Sequence, residues 1–417
     1  MRSAPPRGFP WPGRPDCYAV AVNPADPTPS SRRAWLSPAL AAFVCLFLAA
    51  CASDPAAPPP PAVSAATAAS PATRSLATAE KTFILGADIS WVQQAEEGGG
   101  RGGPGHFSDH GAPQDILQIL KAHGFNYIRL RLFVEPKNRG GYSPQGYCDL
   151  PHTIAFAKRI KAAGLGFLLD FHYSDNWADP QKQTKPLAWR QLALPDLVQT
   201  VHDYTKDAIA QLKAAGVAPD MVQVGNEITP GFLLNSTEAR NGQPGQIVST
   251  QPEGSTHDWP TLGALLKAGI AGVREVTPEA IIMLHLAINV NRANPGEWVS
   301  NAATRDWVDH ALAQGVRFDV LGLSCYTDWH GPPEGWAANF GQLVKQYPQL
   351  HFVAAEYSHG QVPRQASEVI YELPDRKGLG SFVWEATQAK EQLFDRQGNT
   401  LPGLSDYDQM AKDFVRH

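Results

Sequence analysis

The sequence predicts a (β/α)8 barrel, because eight short apolar segments alternate with helical patterns from Lys81 onward. Each segment is nearly continuous in apolar residues, which is typical of parallel strands buried on both faces. Three helical patterns end at a glycine, at Gly124, Gly164 and Gly216, and a predicted strand begins shortly after each, as expected of helix C-caps. Eight such units over about 335 residues match a barrel of this type.

The alternative is an open, doubly wound sheet, whose first strand is often followed by a glycine-rich dinucleotide-binding turn. The glycine-rich segment Gly98–Gly105 lacks that spacing, and we interpret it as a flexible loop between a strand and a helix. The 417 residues, 43% of them hydrophobic, are sufficient for one large core,. The barrel therefore remains the preferred prediction.

The elements follow in order along the chain. The predicted strands are Phe83–Asp88, Asn126–Phe133, Leu165–His172, Met221–Glu227, Ile281–Ala287, Phe318–Tyr326, His351–Glu356 and Leu379–Glu385. The predicted helices are Pro113–His123, Pro151–Ala163, Val198–Ala215, Leu262–Val276 and Glu297–Gln314. The segment Asn235–His257 has weak local structure signals.

The first 79 residues do not fit the barrel pattern, and they hold 15 of the 36 prolines. Arg32-Arg33 precedes the apolar segment Ala39–Ala50, which is too short to span a bilayer and is typical of a secretory signal. We therefore divide the chain into a leader (1–50), a flexible Ala/Pro/Ser-rich linker (51–79) and a single barrel domain (80–417),.

The apolar segment ends with Leu48-Ala49-Ala50-Cys51, which resembles a bacterial lipoprotein signal. The resemblance implies cleavage before Cys51 and lipidation of that residue, and hence an exported protein anchored to a membrane that faces the periplasm or the cell exterior. A plain signal peptide and a secreted protein are the alternative. In either case Cys148 and Cys325 remain in the folded part, and we expect no disulfide between them.

Composition narrows the class of ligand. The formal net charge is −5, which argues against nucleic acid as a partner. The chain has 5 cysteines, too few for a disulfide scaffold, and as many as 11 tryptophans,. A low fraction of charged residues together with many tryptophans suits neutral, ring-shaped ligands. We also expect the protein to be a monomer.

Polar residues occur at the ends of most predicted strands, and in a barrel the carboxyl ends of the strands hold the active site. Burying such groups without purpose would cost free energy at each position. The candidate site residues are, in strand order, Asp88, Arg129 and Arg131, His172, Asn226 and Glu227, His285, Tyr326, Glu356 and Trp384.

Two of these candidates are glutamates, Glu227 and Glu356. Hydrolysis of a glycosidic bond needs two carboxyls that flank it, one protonated and one ionised. Mutual repulsion and burial raise the pKa of the acid. Arg129 is suited to keep a carboxylate ionised, and Asn226 to bind a sugar hydroxyl beside it.

Aromatic residues near the strand ends point to the same ligand class, because indole rings stack on the apolar face of sugars. The candidates are Trp91, Trp177, Trp329, Trp336 and Trp384, and packing in the core is the alternative for each. Asp175 either binds hydroxyls or stabilises a turn.

These segments resemble glycoside hydrolase family 53, the endo-β-1,4-galactanases that cut type I arabinogalactan. The matching segments are Gly86-Ala87-Asp88-Ile89-Ser90, Asn126–Leu132, Asp170-Phe171-His172-Tyr173-Ser174-Asp175, Trp177-Ala178-Asp179-Pro180, Val222–Ile228, Gly322-Leu323-Ser324 and Trp384-Glu385. The resemblance covers about residues 82–410. It implies a retaining, endo-acting mechanism with Glu227 as acid/base and Glu356 as nucleophile.

The chain departs from the family pattern at three strand ends. These are Cys325-Tyr326-Thr327, Ala355-Glu356-Tyr357-Ser358 and Glu385-Ala386-Thr387, where the family usually has two aromatics and proline, Glu-Thr-Ala-Tyr and Glu-Pro-Ala-Trp. Both candidate carboxyls remain, so the departures concern the sugar-binding mouth.

Three other hypotheses stay open: a related retaining β-glycanase for another polysaccharide, a glycan-binding lipoprotein without catalysis, and a metal-dependent barrel hydrolase. The last is disfavoured because no His-Glu-x-x-His motif occurs,. We expect no cofactor and no catalytic metal, and a structural Ca2+ in a loop is left open.

Overall fold

The computed structural model describes residues 76, 82–98, 103–238, 247–287 and 299–415. The predicted leader and almost all of the predicted linker, including Cys51, lie outside the described residues. Within the described part of the chain, no helix is both long and apolar enough to cross a membrane.

Eight parallel strands close into a barrel, which confirms the predicted fold class. Each strand pairs with its sequence neighbours, and β8 pairs with β1 to close the ring. The strands are β1 (Ile84–Asp88), β2 (Tyr127–Leu132), β3 (Gly166–Phe171), β4 (Met221–Val224), β5 (Ile281–Ala287), β6 (Val320–Cys325), β7 (His351–Tyr357) and β8 (Gly378–Val383).

Helices connect the strands and cover the outside of the barrel. In chain order they are α1 (Val92–Glu96), α2 (Ile116–Ala122), α3 (Leu150–Ala162), α4 (Leu194–Ala214), α5 (Trp259–Val276), α6 (Val299–Ala313), α7 (Thr327–His330), α8 (Pro333–Gln346), α9 (Gln365–Tyr371) and α10 (Ser405–Phe414). The main hydrophobic core lies between these helices and the outward faces of the strands.

A second apolar cluster fills the lower part of the barrel interior, with Leu168, Met221, Met283, Val320 and Val353 among its members. Glycines make room for its larger rings. A Cβ on Gly86 would lie 2.2 Å from the Phe382 ring, and one on Gly166 would lie 2.3 Å from the ring of Tyr127. The apolar filling closes one end of the barrel, so polar side chains have access to solvent at the other.

Several predicted boundaries are wrong. The helix predicted from Pro113 begins at Ile116, because Asp115 caps it by accepting a hydrogen bond from Leu117 N at 2.8 Å. Ala112–Pro113 instead pairs with Ser108–Asp109 in a short antiparallel ribbon. The fourth strand ends at Val224 rather than Glu227, since Gly225 and Glu227 have φ angles of +86° and +48° that turn the backbone.

The segment Asn235–His257 contains a second antiparallel ribbon, formed by Ser236–Glu238 and Ile247–Ser249. The sequence did not predict this pairing. The residues that connect the two ribbon strands, 239–246, lie outside the described part of the chain. The ribbon follows β4 and therefore lies at the carboxyl end of the barrel.

Candidate active site

The upper layer of the barrel interior is polar. With the period of two that strands impose, the residues that follow the apolar layer on each inner face have charged or hydrogen-bonding side chains. They are Asp88 on β1, Arg129 and Arg131 on β2, Asp170 on β3, Gln223 on β4, His285 on β5 and Ser324 on β6, and all are buried. Four of these seven residues, Asp88, Arg129, Arg131 and His285, are among the predicted site residues.

Arg129 contacts several other residues of the site. Its guanidinium makes five hydrogen bonds: Nε to Gln223 at 3.2 Å, Nη1 to Asp88 at 3.2 Å and Glu356 at 2.8 Å, and Nη2 to Asp170 and Asn226 at 2.8 Å each. Burial alone would lower the pKa of Arg129, but Asp170, Glu356 and Asp88 raise it. The cation therefore stays charged and fixes several acceptors at once.

Glu356 reaches the mouth through a β-bulge in β7. Leu323 pairs with Ala354 and Ser324 pairs with Glu356, so Ala355 has no partner of its own on β6. Val353 and Ala355 already belong to the interior cluster, and strict alternation would direct the next side chain toward the helices. The bulge redirects Glu356 inward, a common use of bulges beside active sites.

Two donors stabilise the ionised form of Glu356. Arg129 donates to Oε1 at 2.8 Å, and the Tyr326 hydroxyl donates to Oε2 at 2.9 Å. Burial raises the pKa of Glu356, while Arg129 and Tyr326 oppose the rise. The carboxyl is thus desolvated but has a cation and a hydroxyl directed at it.

The surroundings of Glu227 differ from those of Glu356. Its left-handed backbone turn is supported by Gln183, whose Nε2 donates to Asn226 O at 2.7 Å and Glu227 O at 3.2 Å. Glu227 Oε1 lies 2.7 Å from Ser324 Oγ, within hydrogen-bond distance. Burial raises the pKa of Glu227 well above its usual value, and the negative charges of Glu356 and Asp179 add to the rise.

Ser324 connects the two carboxyls. It lies in register with Glu356 on the neighbouring strand and contacts Glu227 directly. The two glutamates therefore meet at one position of the barrel mouth, in environments that separate their pKa values. Such a pair can supply one acid and one ionised group at the same pH.

A second group surrounds Arg131. Its Nη1 contacts Glu385 and, at 3.4 Å, Asp88, and its Cζ lies 4.2 Å from the ring centroid of Trp177. Trp91, Trp177 and Trp384 lie within 6.4 Å of one another by ring centroids and are each partly exposed. They give the mouth an aromatic wall next to the carboxyl pair.

The other predicted site residues differ in the contacts that they make. Ala178 N donates to His172 Nδ1 at 2.9 Å, so the ring proton of His172 lies on Nε2, 3.1 Å from Asp170. Asp175 accepts hydrogen bonds from Glu135 N, Asn138 and Leu187 N, which favours the turn-stabilising alternative. His285 lies in the polar layer, between Asn226 and Ser324.

Of the remaining tryptophans, Trp336 is buried and its Nε1 donates to His330 O, so it is part of the core. Trp329 is 57% exposed and packs edge-on against Tyr326 with centroids 5.4 Å apart. Trp329 therefore remains at the mouth, packed on Tyr326, which itself contacts Glu356.

Three residues of the polar layer were missed as site residues: Asp170, Gln223 and Ser324. Gln223 Nε2 donates to Asp170 Oδ1 at 2.6 Å and to Asn226 Oδ1 at 2.9 Å. The sequence did contain a signal for Gln223, because side chains an even number of residues apart along a strand face the same side. Gln223 is two residues from the inward-facing Met221 and four before Glu227. Burial alone would raise the pKa of Asp170, but Arg129 and His172 lower it below its usual value.

Among the described residues, no group of three or more His, Cys, Asp or Glu side chains is arranged to hold a metal ion. Cys148 and Cys325 are free thiols, both buried. Burial raises the pKa of the Cys148 thiol to about 12, which makes it unreactive at neutral pH.

The fold and the site together define a (β/α)8 barrel with paired carboxyls at its mouth, the arrangement found in glycoside hydrolases. The model of glycosyl hydrolase family 53 matches residues 84–362, and the chain belongs to this family.

Two relatives and one solved structure illustrate the similarity. The chain is 33% identical to an endo-beta-1,4-galactanase of Bacillus subtilis over 66% of this chain and 56% of the relative. It is 32% identical to an arabinogalactan endo-beta-1,4-galactanase of Humicola insolens over 77% of this chain and 97% of the relative. The structure of the Ignisphaera aggregans GH53 catalytic domain superposes with a TM-score of 0.65 at 32% identity, covering 78% of this chain and 95% of that one. The chain spans 56 to 65% of the length of the first three curated relatives that it matches.

Proposed function

We propose that the protein is a retaining endo-β-1,4-galactanase that hydrolyses galactan or type I arabinogalactan. The observation that supports the proposal is that the two carboxyls have different hydrogen-bond partners and different neighbouring charges. Glu356 accepts hydrogen bonds from Arg129 and Tyr326, whereas Glu227 is approached by a neutral hydroxyl and by negative charge. The substrate class rests on family membership and on the galactanases among the relatives.

In the first step, the Glu356 carboxylate attacks the anomeric carbon, and the bond to the leaving oxygen breaks. Glu227 gives its proton to that oxygen, and a glycosyl ester forms on Glu356. In the second step, Glu227 takes a proton from water as the water oxygen attacks the anomeric carbon. The ester breaks, Glu356 is again ionised, and the sugar leaves with its original anomeric configuration.

The surroundings suit a sugar substrate. Asn226 Nδ2 donates to Ala178 O at 2.8 Å, which uses one of its two hydrogens and leaves the second for a sugar hydroxyl beside the nucleophile. Trp91, Trp177 and Trp384 provide faces for stacking sugar rings. A hydroxyl contact that strengthens in the transition state contributes to the rate rather than to ground-state affinity.

The first experiment compares reducing-sugar release by residues 80–417 on β-1,4-galactan, β-1,4-mannan, xylan and cellulose, with Glu356→Gln as control. We expect release from galactan and a loss of about 10⁴-fold or more in the variant, with polysaccharide binding retained. Release from another polymer would move the protein to a different β-glycanase specificity. Binding without release from any polymer would support the non-catalytic alternative.

A second experiment separates the roles of the two carboxyls by azide rescue on an activated aryl β-galactobioside. Truncation of an acid/base still allows the glycosyl ester to form on the nucleophile, so Glu227→Ala with azide should form a β-galactobiosyl azide. Truncation of the nucleophile leaves space for azide to attack directly, so Glu356→Ala should form the α-anomer. The reverse pattern would exchange the two assignments.

We further propose export and lipid anchoring through Cys51, which lies in the part of the chain outside the described residues. Several acyl chains anchor a protein firmly, whereas a single one does not. Labelling cells with a tagged fatty acid should mark the wild type and Cys45→Ser and leave Cys51→Ser unmarked. An unlabelled, processed wild-type protein would instead indicate a plain secretory signal.

A further inference from the structure

A chain of hydrogen-bonding groups extends from Glu227 into the barrel. Glu227 Oε1 is 2.7 Å from Ser324 Oγ, Ser324 Oγ is 2.9 Å from His285 Nε2, and His285 Nδ1 is 3.0 Å from Asn226 Oδ1. Ser324 and His285 are only 1% and 0% exposed. Because solvent does not reach these groups, each hydrogen in the chain has a restricted choice of partners.

The contacts of Asn226, at the far end of this chain of hydrogen bonds, determine which atoms donate and which accept. Arg129 can only donate, so the Asn226 side-chain atom that it contacts at 2.8 Å is the oxygen,. That same oxygen faces His285 Nδ1, and an oxygen of an amide can only accept. Gln223 Nε2 is also 3.2 Å from Nδ1, but shorter contacts with Asp170 Oδ1 and Asn226 Oδ1 use its two hydrogens. Nδ1 of His285 therefore carries the ring proton.

The imidazole stays neutral in this position. Burial lowers the pKa of His285 well below its usual value, and the cation of Arg129 lowers it further. Asp170 acts in the opposite direction, and His172 and His330 are the remaining titratable groups that affect the ring. With its proton on Nδ1 and no positive charge, His285 presents a bare Nε2 to Ser324.

The unprotonated Nε2 of His285 determines the orientation of the Ser324 hydroxyl. A hydroxyl has one hydrogen, and His285 Nε2 accepts it. Ser324 Oγ can then only accept from Glu227, which requires the Glu227 carboxyl to carry a proton. When Glu227 gives up that proton, the hydroxyl can rotate and donate to the new carboxylate, which is a stronger, charge-assisted hydrogen bond.

We propose that Ser324 and His285 form a hydroxyl switch: Ser324 Oγ accepts the acidic proton of Glu227 in the free site, and once that proton has passed to the leaving oxygen the hydroxyl turns and donates to the Glu227 carboxylate. The inference rests on the proposed function, in which Glu227 is the acid/base. No proton travels along the chain: His285 keeps its proton on Nδ1, and the Ser324 hydrogen changes only its direction. Ser324 and His285 are thus positioning residues that act through Glu227.

Leaving-group dependence tests the switch, because a phenol that leaves readily needs no proton from Glu227. For Ser324→Ala, we expect kcat/KM to fall about 10²-fold on galactan, within the range for lost acid catalysis, and less than about threefold on dinitrophenyl β-galactobioside. Because kcat/KM reports the first step, slow hydrolysis of the ester does not affect the comparison. Equal losses on the two substrates, or no loss on galactan, would overturn the proposal.

The matched control is Ser381→Ala on β8. Ser381 is 1% exposed and shares a 2.7 Å hydrogen bond with Ser367, away from the carboxyl pair. It should leave both rates within threefold. Ser324→Thr keeps the hydroxyl and should recover part of the galactan rate. Ser324→Cys, of similar size, serves if the alanine variant does not fold, and it should show the same selective loss.

A pH profile and a spectrum provide readouts that a structural role would not change. Glu227 faces Glu356, Asp179 and Arg129 in addition to Ser324, and these charges are unchanged in Ser324→Ala. Loss of the hydroxyl donor should therefore move the basic limb of kcat/KM to higher pH. Nitrogen NMR of the free protein should show His285 protonated on Nδ1, and protonation on Nε2 would contradict the switch.

The outcomes separate the switch from the proposed function. Wild-type protein that releases no sugar from galactan and no phenol from the aryl substrate would contradict the proposed function itself. Wild-type protein that turns over both substrates, together with a Ser324→Ala variant that loses both equally, would contradict the switch alone.

Discussion

The Arg129 guanidinium contacts the Glu356 carboxylate at 2.8 Å from a strand three places away around the barrel. The same guanidinium contacts Asp88 and Asp170. One buried cation thus both stabilises the ionised state of the proposed nucleophile and neutralises structural carboxylates. Fold stability and the charge state of the site depend on the same residue.

Replacement of Arg129 by methionine should therefore be strongly destabilising. It leaves Asp88, Asp170 and Glu356 buried without their cation, and breaking such contacts costs about 3–5 kcal/mol. The measurement is the free energy of unfolding by urea. Arg159→Met is the control, because the Arg159 side chain is 35% exposed in its pairing with Glu96, and exposed pairs contribute about 1 kcal/mol or less. Equal losses in the two variants would show that burial of the Arg129 cluster does not matter.

The dependence of activity on pH should be bell-shaped. The acid limb reports protonation of Glu356, and the basic limb reports ionisation of Glu227, whose pKa is raised further by burial and by Glu356,. The measurement is kcat/KM from pH 3 to 10 on the unsubstituted phenyl galactobioside, whose phenol leaves poorly and needs the proton of Glu227. In Glu227→Gln the basic limb should disappear while the acid limb remains. A basic limb that persists in this variant would assign it to another group.

Glu227 should also lower the stability of the fold near neutral pH. The carboxyl ionises in the unfolded chain near its usual pKa but at a higher pH in the folded protein, so stability is lost as the pH rises between the two values. Glu227→Gln should recover about 0.5–2 kcal/mol at pH 7 and nothing below about pH 4. Thermal unfolding at both pH values measures the effect, with the exposed Glu372→Gln as control. A variant that is less stable than wild type at pH 7 would contradict the expectation.

Two glycines should respond to alanine in opposite directions. A Cβ on Gly86 would lie 2.2 Å from the Phe382 ring, and overpacking of this kind costs about 1–3 kcal/mol. A Cβ on Gly341, inside α8, meets nothing within 4 Å, and alanine there should stabilise by about 0.5–1 kcal/mol. Chemical denaturation of both variants decides this, and loss of stability in Gly341→Ala would be inconsistent with the open space around it.

The strands were predictable because burial on both faces makes each one nearly continuous in apolar residues. Helix α8 was not predicted, although Trp336, Phe340, Leu343 and Val344 have helical spacing. Gly335 and Gly341 interrupt the pattern with low helix propensity, and packing against the barrel outweighs that preference.

Within the site, Glu227, Glu356 and Asn226 were predictable from their positions at strand ends, whereas Asp170, Gln223 and Ser324 were not predicted. Ser324 lies beside Glu227 only because β6 and β4 converge on one mouth, which is a long-range relationship. The bulge at Ala355 could not be predicted from His351–Tyr357, since the pairing with neighbouring strands determines which residue is extra,. These two features give Glu227 and Glu356 their separate environments.

Trapping of the glycosyl ester tests the central proposal most directly. An activated 2-deoxy-2-fluoro galactobioside slows hydrolysis of the ester, and mass spectrometry of the digested protein locates the attached sugar. We expect one disaccharide on the peptide that contains Glu356 and none on the Glu356→Gln variant. Attachment to a different residue, or turnover of galactan with inversion at the anomeric carbon and no adduct, would contradict it.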